Sequence, residues 1–104
     1  AFVAVTVSTS IESRDVPTTF ALNQNYPNPF NPQTSIRFGL PVASNVKLAV
    51  FDLIGRQVAT LVDENLSAGY HTVNFDGSQF ATGVYFYRIN AGSYQKVRKM
   101  ILIK

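Results

Sequence analysis

The chain has 104 residues, 46% of them hydrophobic and 14% charged, with a formal net charge of +3. That length sets one domain, and so low a charged fraction beside so much apolar content excludes a disordered chain. Cysteine is absent, which excludes disulfides, thiolate chemistry and cysteine-ligated zinc, and a charge of +3 is too modest to argue for nucleic acid.

Residues 1–7, Ala-Phe-Val-Ala-Val-Thr-Val, are β-branched enough for a strand. No run of about 18 apolar residues occurs, so no helix is expected to span a bilayer. Residues 8–19 turn polar, and residues 1–19 are read as a linker or the end of a preceding module, with residues 20–104 as the domain proper. The chain starts at Ala1 with neither an initiator methionine nor a signal peptide, as expected of the C-terminal piece of a larger protein.

Next comes Asn25-Tyr26-Pro27-Asn28-Pro29-Phe30-Asn31-Pro32. Each proline fixes its own φ, removes a backbone donor and pushes the preceding residue towards the extended region, so helix and central strand are both ruled out. A stiff loop is predicted, pinned to the core by Tyr26 and Phe30. Its plain role is to end one strand and start the next; its functional role would be a preformed recognition epitope.

Strands follow in close succession. Residues 35–40 alternate with Ile36, Phe38 and Leu40 on one face, and Pro41 stops them. Residues 45–51 place Val46, Leu48 and Val50 inward and Lys47 outward. Asp52-Leu53-Ile54-Gly55 has type I turn chemistry, and residues 57–62 return as the second arm of a hairpin. Residues 63–68 read as a polar connection. Residues 69–75 set His71, Val73 and Phe75 against Tyr70, Thr72 and Asn74, and Asp76-Gly77 is a turn. Residues 83–90 are the densest β stretch, Ala91-Gly92 turns, and residues 94–103 form the last strand. With no helical period, the pattern predicts an antiparallel β-sandwich of about seven strands; a small barrel is the alternative.

No catalytic set emerges, and the chain is read as non-enzymatic. His71 is a lone histidine at a strand position, read as a packed or edge residue, and nothing organises it with a serine and a carboxylate. Asp52 and Asp76 sit in turns and have capping roles; Asp63-Glu64 is a solvated pair. No dense Asp/Asn spacing suggests a calcium loop, the glycines are dispersed, and no metal or cofactor is expected. Arg88, Lys96, Arg98, Lys99 and Lys104 crowd the final hairpin, either as edge protection or as a basic strand for an anionic partner.

Several of these stretches resemble one family in order and spacing. Tyr26-Pro27-Asn28-Pro29-Phe30-Asn31-Pro32, then Thr34, Ile36, Phe38 and Leu40-Pro41, are similar to the opening of the type A C-terminal sorting domain of type IX secretion. Val50-Phe51-Asp52 with Gly55-Arg56, Ala68-Gly69 with His71, and Asp76-Gly77 continue the pattern. Gly83-Val84-Tyr85-Phe86-Tyr87-Arg88 through Lys99-Met100 to Lys104 resembles its ending. Phe75 stands where tryptophan is frequent and Phe51 where tyrosine is. The resemblance covers about residues 22–104. It implies an immunoglobulin-like sandwich, akin to that of flagellar hook-capping proteins, that directs cargo through the outer-membrane translocon. A sortase-like peptidase then commonly removes it and attaches the cargo to surface lipopolysaccharide. The protein would reach the cell surface through the periplasm, and the domain would be a monomer without a transmembrane segment.

The residues expected to be read by this machinery are Tyr26, Pro27, Asn28, Pro29, Phe30, Asn31 and Pro32 in the loop, with Gly83, Tyr85, Lys99 and Lys104. The last strand is expected to offer an edge that a partner could extend by main-chain pairing. The competing reading is a carbohydrate-binding or structural accessory module of a secreted glycoside hydrolase, with Tyr70, Tyr85 or Tyr94 as its contacts.

Overall fold

The computed structural model describes residues 16–104. The strand expected over residues 1–7, and the expected linker as far as residue 15, lie outside the described residues. Seven strands follow one another: β1 (Ala21–Leu22), β2 (Gln33–Leu40), β3 (Ser44–Phe51), β4 (Gln57–Leu66), β5 (Gly69–Asp76), β6 (Gly83–Ala91) and β7 (Tyr94–Leu102). They form two antiparallel sheets, one in the order β1-β2-β5 and one in the order β4-β3-β6-β7. The architecture is all-β, an immunoglobulin-like sandwich.

Alternation decides which side chains meet between the layers, because successive Cβ atoms in a strand point to opposite faces. Ile36, Phe38 and Leu40 of β2, Val46, Leu48 and Val50 of β3, and Tyr87 and Ile89 of β6 are sealed from solvent, as are Met100 and Leu102 of β7. Phe75 and Tyr85 are also buried, while Val73 packs against the core half-buried. The same parity sends Phe51, Val84, Phe86, Val97 and Ile101 to the outer face of the four-stranded sheet.

β4 runs four residues past the predicted hairpin arm and takes in Asp63–Leu66, where a loop was expected. It is an edge strand, so Asp63, Glu64 and Asn65 stay in water and give the residues a loop-like composition. Its register against β3 also slips twice, between Leu48 and Ala49 and between Val50 and Phe51. These slips leave Leu61 and Val58 as extra residues in β4, and both lean on the core.

The turn at residues 52–55 forms as predicted. The Gly55 amide donates to the Asp52 carbonyl at 3.0 Å, and Gly55 has φ +90°, which glycine adopts without a Cβ penalty. Gly77 has a different reason to be glycine. A Cβ there would lie 3.0 Å from a Leu102 methyl and 3.2 Å from the Phe30 ring.

Candidate functional site

The loop of residues 25–32 lies between β1 and β2 of the three-stranded sheet and bridges on its way to β7 of the other sheet. Its anchors are Asn25 and Phe30. Asn25 is 2% exposed. Its amide donates to the Tyr87 hydroxyl at 2.8 Å, and its Nδ2 donates to the Pro27 carbonyl at 3.1 Å and to Thr34 Oγ1 at 3.0 Å. Its Oδ1 accepts from Gln24 Nε2 at 2.7 Å, so this buried polar side chain is satisfied on every side. Thr34 Oγ1 in turn donates to the Pro27 carbonyl at 2.9 Å. Tyr87 completes the group by donating its hydroxyl to the Asn23 carbonyl at 2.7 Å. Burial pushes the Tyr87 phenol up from its ordinary value, against the opposing pull of the Asn25 amide.

Phe30 is 1% exposed and meets the Phe75 ring edge-on at 5.9 Å. Tyr26, expected to share that duty, is 80% exposed. Its main chain makes a two-bond bridge with Ser35, which turns the side chain out. The loop is therefore pinned by one aromatic ring and one asparagine, with Tyr26, Pro27, Asn28, Pro29 and Asn31 on the surface.

The loop also covers the last strand. The Phe30 amide donates to the Ile101 carbonyl and the Ile103 amide to the Phe30 carbonyl, both at 2.9 Å, in a parallel bridge between Phe30 and Leu102. Asn28 Oδ1 accepts from the Ile101 amide at 3.0 Å, and Gln24 Nε2 donates to the Lys99 carbonyl at 2.7 Å. β7 is the sheet edge, as predicted, but its outer side at Lys99, Ile101 and Ile103 is already hydrogen-bonded. Strand addition there would first have to displace the loop.

Basic side chains on this strand divide by role. Arg98 turns inward and donates Nε to the Leu22 carbonyl at 2.7 Å. Lys99 is exposed, and Lys104 donates Nζ to the Ser78 carbonyl at 2.6 Å from an exposed position. The Ser78 amide holds the Asp76 carboxyl below its ordinary value, with Gln33 and Lys104 adding to the effect. Tyr85 is buried, donates to the Ala81 carbonyl at 2.7 Å and meets the Phe80 ring edge-on, so it is a core residue with no exposed face for a partner to read. Gly83 begins β6 opposite Leu102. The structure thus gathers the loop, Lys99 and Lys104 around β7, and places Tyr85 in the core. The anchoring roles of Asn25, Tyr87 and Thr34 were not read from the sequence, although all three lie in stretches it singled out. A polar residue beside a proline run is a weak signal of an anchor, and nothing in the sequence pairs Asn25 with Tyr87.

His71 is packed as expected, stacked on Phe38 at 5.4 Å with its Nε2 2.8 Å from the Ser67 carbonyl. Among the described residues no cluster of three His, Asp or Glu side chains could hold a metal, and no helix is long and apolar enough to cross a membrane.

Two antiparallel sheets packed face to face, with the first loop bracing the last strand, define a β-sandwich module of the immunoglobulin-like class. Residues 24–104 match the family described as the secretion system C-terminal sorting domain, and the chain belongs to that family. Among solved structures it is similar to dimeric latent PorU from Porphyromonas gingivalis. The two share 19% sequence identity and superpose with a TM-score of 0.63, over 82% of this chain and 9% of that one. At that identity the likeness speaks to the fold, and the present chain spans only a small part of that protein. No curated protein matches the chain significantly.

Proposed function

We propose that this domain is a non-catalytic signal that directs the polypeptide carrying it through the type IX translocon and on to the cell surface. Its recognition surface is a composite of Tyr26, Pro27, Asn28, Pro29, Asn31 and Pro32 with Lys99 and Lys104, held in place from beneath by the buried Phe30. The observation that carries this reading is the set of hydrogen bonds from Phe30 and Asn28 to Ile101 and Ile103, which make the loop and the last strand one rigid unit. A surface already ordered loses little entropy when a partner binds it. Because the edge from Lys99 to Ile103 is occupied, the machinery reads the exposed side chains, Tyr26 and the two lysines above all. A sortase-like peptidase that releases the domain, and attachment of the cargo to lipopolysaccharide, complete the expected route. The carbohydrate-binding alternative is weakened by its own candidates: Tyr85 is buried, Tyr94 is stacked on Phe20 at 5.1 Å, and Arg37 lies 4.2 Å over the ring of Tyr70.

The test separates recognition from folding. Residues 16–104 are fused to a folded reporter in a host with type IX secretion, and export is compared for the parent, Tyr26→Ala, and Lys99→Ala with Lys104→Ala. All three positions are exposed, so melting temperatures should stay close to the parent's. Both variants should hold the reporter in the periplasm while folded. Parental export from both would sink the composite-surface reading and leave the loop and strand with a folding role alone.

A further inference from the structure

The outer face of the four-stranded sheet carries a groove of about 290 Å³. Its floor is the side-by-side pair Phe51 and Phe86, with Arg88 and Val97 paired in the adjoining row. The hairpin tip closes one end with Leu53 and Gly55. Leu53 is 67% exposed, and Val97 51%. Turn tips ordinarily carry polar residues, and an apolar tip beside two half-buried rings marks a surface built for contact.

Charge in the groove is unbalanced. The Arg88 guanidinium lies 4.7 Å over the Phe51 ring. Its Nε is closed off from solvent and has no hydrogen-bond partner among the described residues. Its cross-strand neighbours are Ala49 and Val97, neither of which can accept a charge-assisted bond. Asp52, the carboxylate in the groove lining, is already engaged. It accepts from Arg56 Nε at 2.8 Å, from the Arg56 amide at 2.9 Å and from the Ile54 amide at 3.1 Å. Among the described residues, what stays open is an aromatic floor and the Arg88 guanidinium without an anion, with Lys99 opposite Phe86 on the same outer face.

We propose that this groove takes an extended segment of a partner protein that sets one carboxylate against Arg88 and apolar side chains against Phe51, Phe86, Leu53 and Val97. Charge complementarity fixes the sign of the occupant. With Nε closed off, the two terminal Nη groups of the planar guanidinium are the pair that fits a carboxylate with two bonds. Free phosphate or a phosphomonoester, with up to about two charges, is disfavoured, because Arg88 is the one cation in the groove lining. The volume suits one or two side chains of an extended chain, and the rings supply the apolar contact that peptide grooves use. The proposal goes beyond the sorting reading and does not rest on it. None of the lining residues belongs to residues 25–32 or is Lys99 or Lys104, and binding is measured without any secretion machinery.

The experiment uses the 104-residue chain labelled with 15N. The probe is a library of blocked pentapeptides with glutamate at the centre and Phe, Leu, Ile or Val elsewhere, and the control library has glutamine at the centre. Spectra are followed at the Phe86 and Val97 amides and at the Arg88 Nε–H. Saturable shifts at these three groups are expected with the glutamate library at millimolar concentration, with affinity at least about tenfold weaker for the glutamine library. Arg88→Gln should abolish the preference for glutamate. Leu53→Ser with Val97→Ser, two exposed positions that leave the core intact, should weaken binding to both libraries and keeps the test valid if Arg88→Gln folds poorly. Equal binding of the two libraries, or no saturable shift, overturns the proposal. So do larger shifts at the same groups from inorganic phosphate or from phosphatidylglycerol vesicles, which would assign the groove to a phosphate.

Discussion

The loop of residues 25–32 and the turn at residues 52–55 are both short, exposed connections, yet they are held in opposite ways. The loop's bonds reach far along the chain: Asn28 to Ile101 spans 73 positions, and Asn25 to Tyr87 spans 62. The turn's bonds are local, from Asp52 to Ile54, Gly55 and Arg56. The loop hides its largest apolar ring, with Phe30 at 1%, and the turn displays its own apolar side chain, with Ile54 at 74%. A connection bonded over long range is a keystone whose failure opens the molecule. One bonded only to itself can present side chains without putting the fold at risk.

The sharpest way to break that contrast is Phe30→Ala. The ring fills space between Phe75, Leu102 and Gly77, and its main chain bridges β7. Truncating a buried phenylalanine costs about 3–5 kcal/mol, which is much of a small domain's total stability. Denaturant unfolding should show a loss in that range, with early exchange of the Ile101 and Ile103 amides. A loss close to that of a surface substitution would mean that the loop is no keystone.

How far this contrast was legible beforehand depends on where the signal lay. Strands β2 and β3 could be read because Ile36, Phe38 and Leu40, then Val46, Leu48 and Val50, follow period two with no bulge on those strands. The turn could be read because Asp52 and Gly55 stand at the positions that a type I turn requires. The C-terminal half of β4 was hidden, since an exposed edge strand has the composition of a loop. Within the loop, Tyr26 and Phe30 are both aromatic residues next to a proline, and only the Ser35 and Leu102 bridges decide which one points in. Long-range polar pairs such as Asn25 with Tyr87 have no period at all. The groove was half legible: parity puts Phe51, Phe86, Arg88 and Val97 on the outer face, but their adjacency needs the register between β3, β6 and β7.

A second, smaller effect probes the polar anchor of the loop. Tyr87→Phe keeps the buried ring and removes the hydroxyl, leaving the Asn23 carbonyl and the Asn25 amide without that partner. Stranding such groups costs about 1–3 kcal/mol at neutral pH. The sign of its pH dependence is fixed by the raised phenol. The folded state favours the protonated form, so the contribution is fully present below the ordinary tyrosine pKa of about 10 and is lost as pH rises through the higher folded value. The stability gap between parent and variant should therefore be constant from neutral to mildly alkaline pH and close in strong alkali. A gap that widens with alkali would contradict the burial of the hydroxyl.

The smallest effect belongs to the turn, where Asp52→Asn tests whether it really is self-contained. The Arg56 amide, followed by the Arg56 side chain and the Ile54 amide, holds the Asp52 carboxyl below its ordinary value. Because the folded value is depressed, the ionised carboxylate stabilises the native state above the ordinary carboxylate range. That contribution disappears as pH falls through the folded value. The substituted amide side chain would keep one oxygen acceptor and lose the charge, so the variant should differ from the parent slightly at neutral pH and not at all in acid. The Arg56 side of the pair is 75% exposed, and salt at molar concentration should shrink even the neutral difference. Amide shifts should move at residues 52–57 and stay fixed at Asn28, Phe30 and Ile101. If protection at Ile101 falls in this variant, the turn and the loop are coupled through β3 and β6, and the division between keystone and display surface would have to be redrawn.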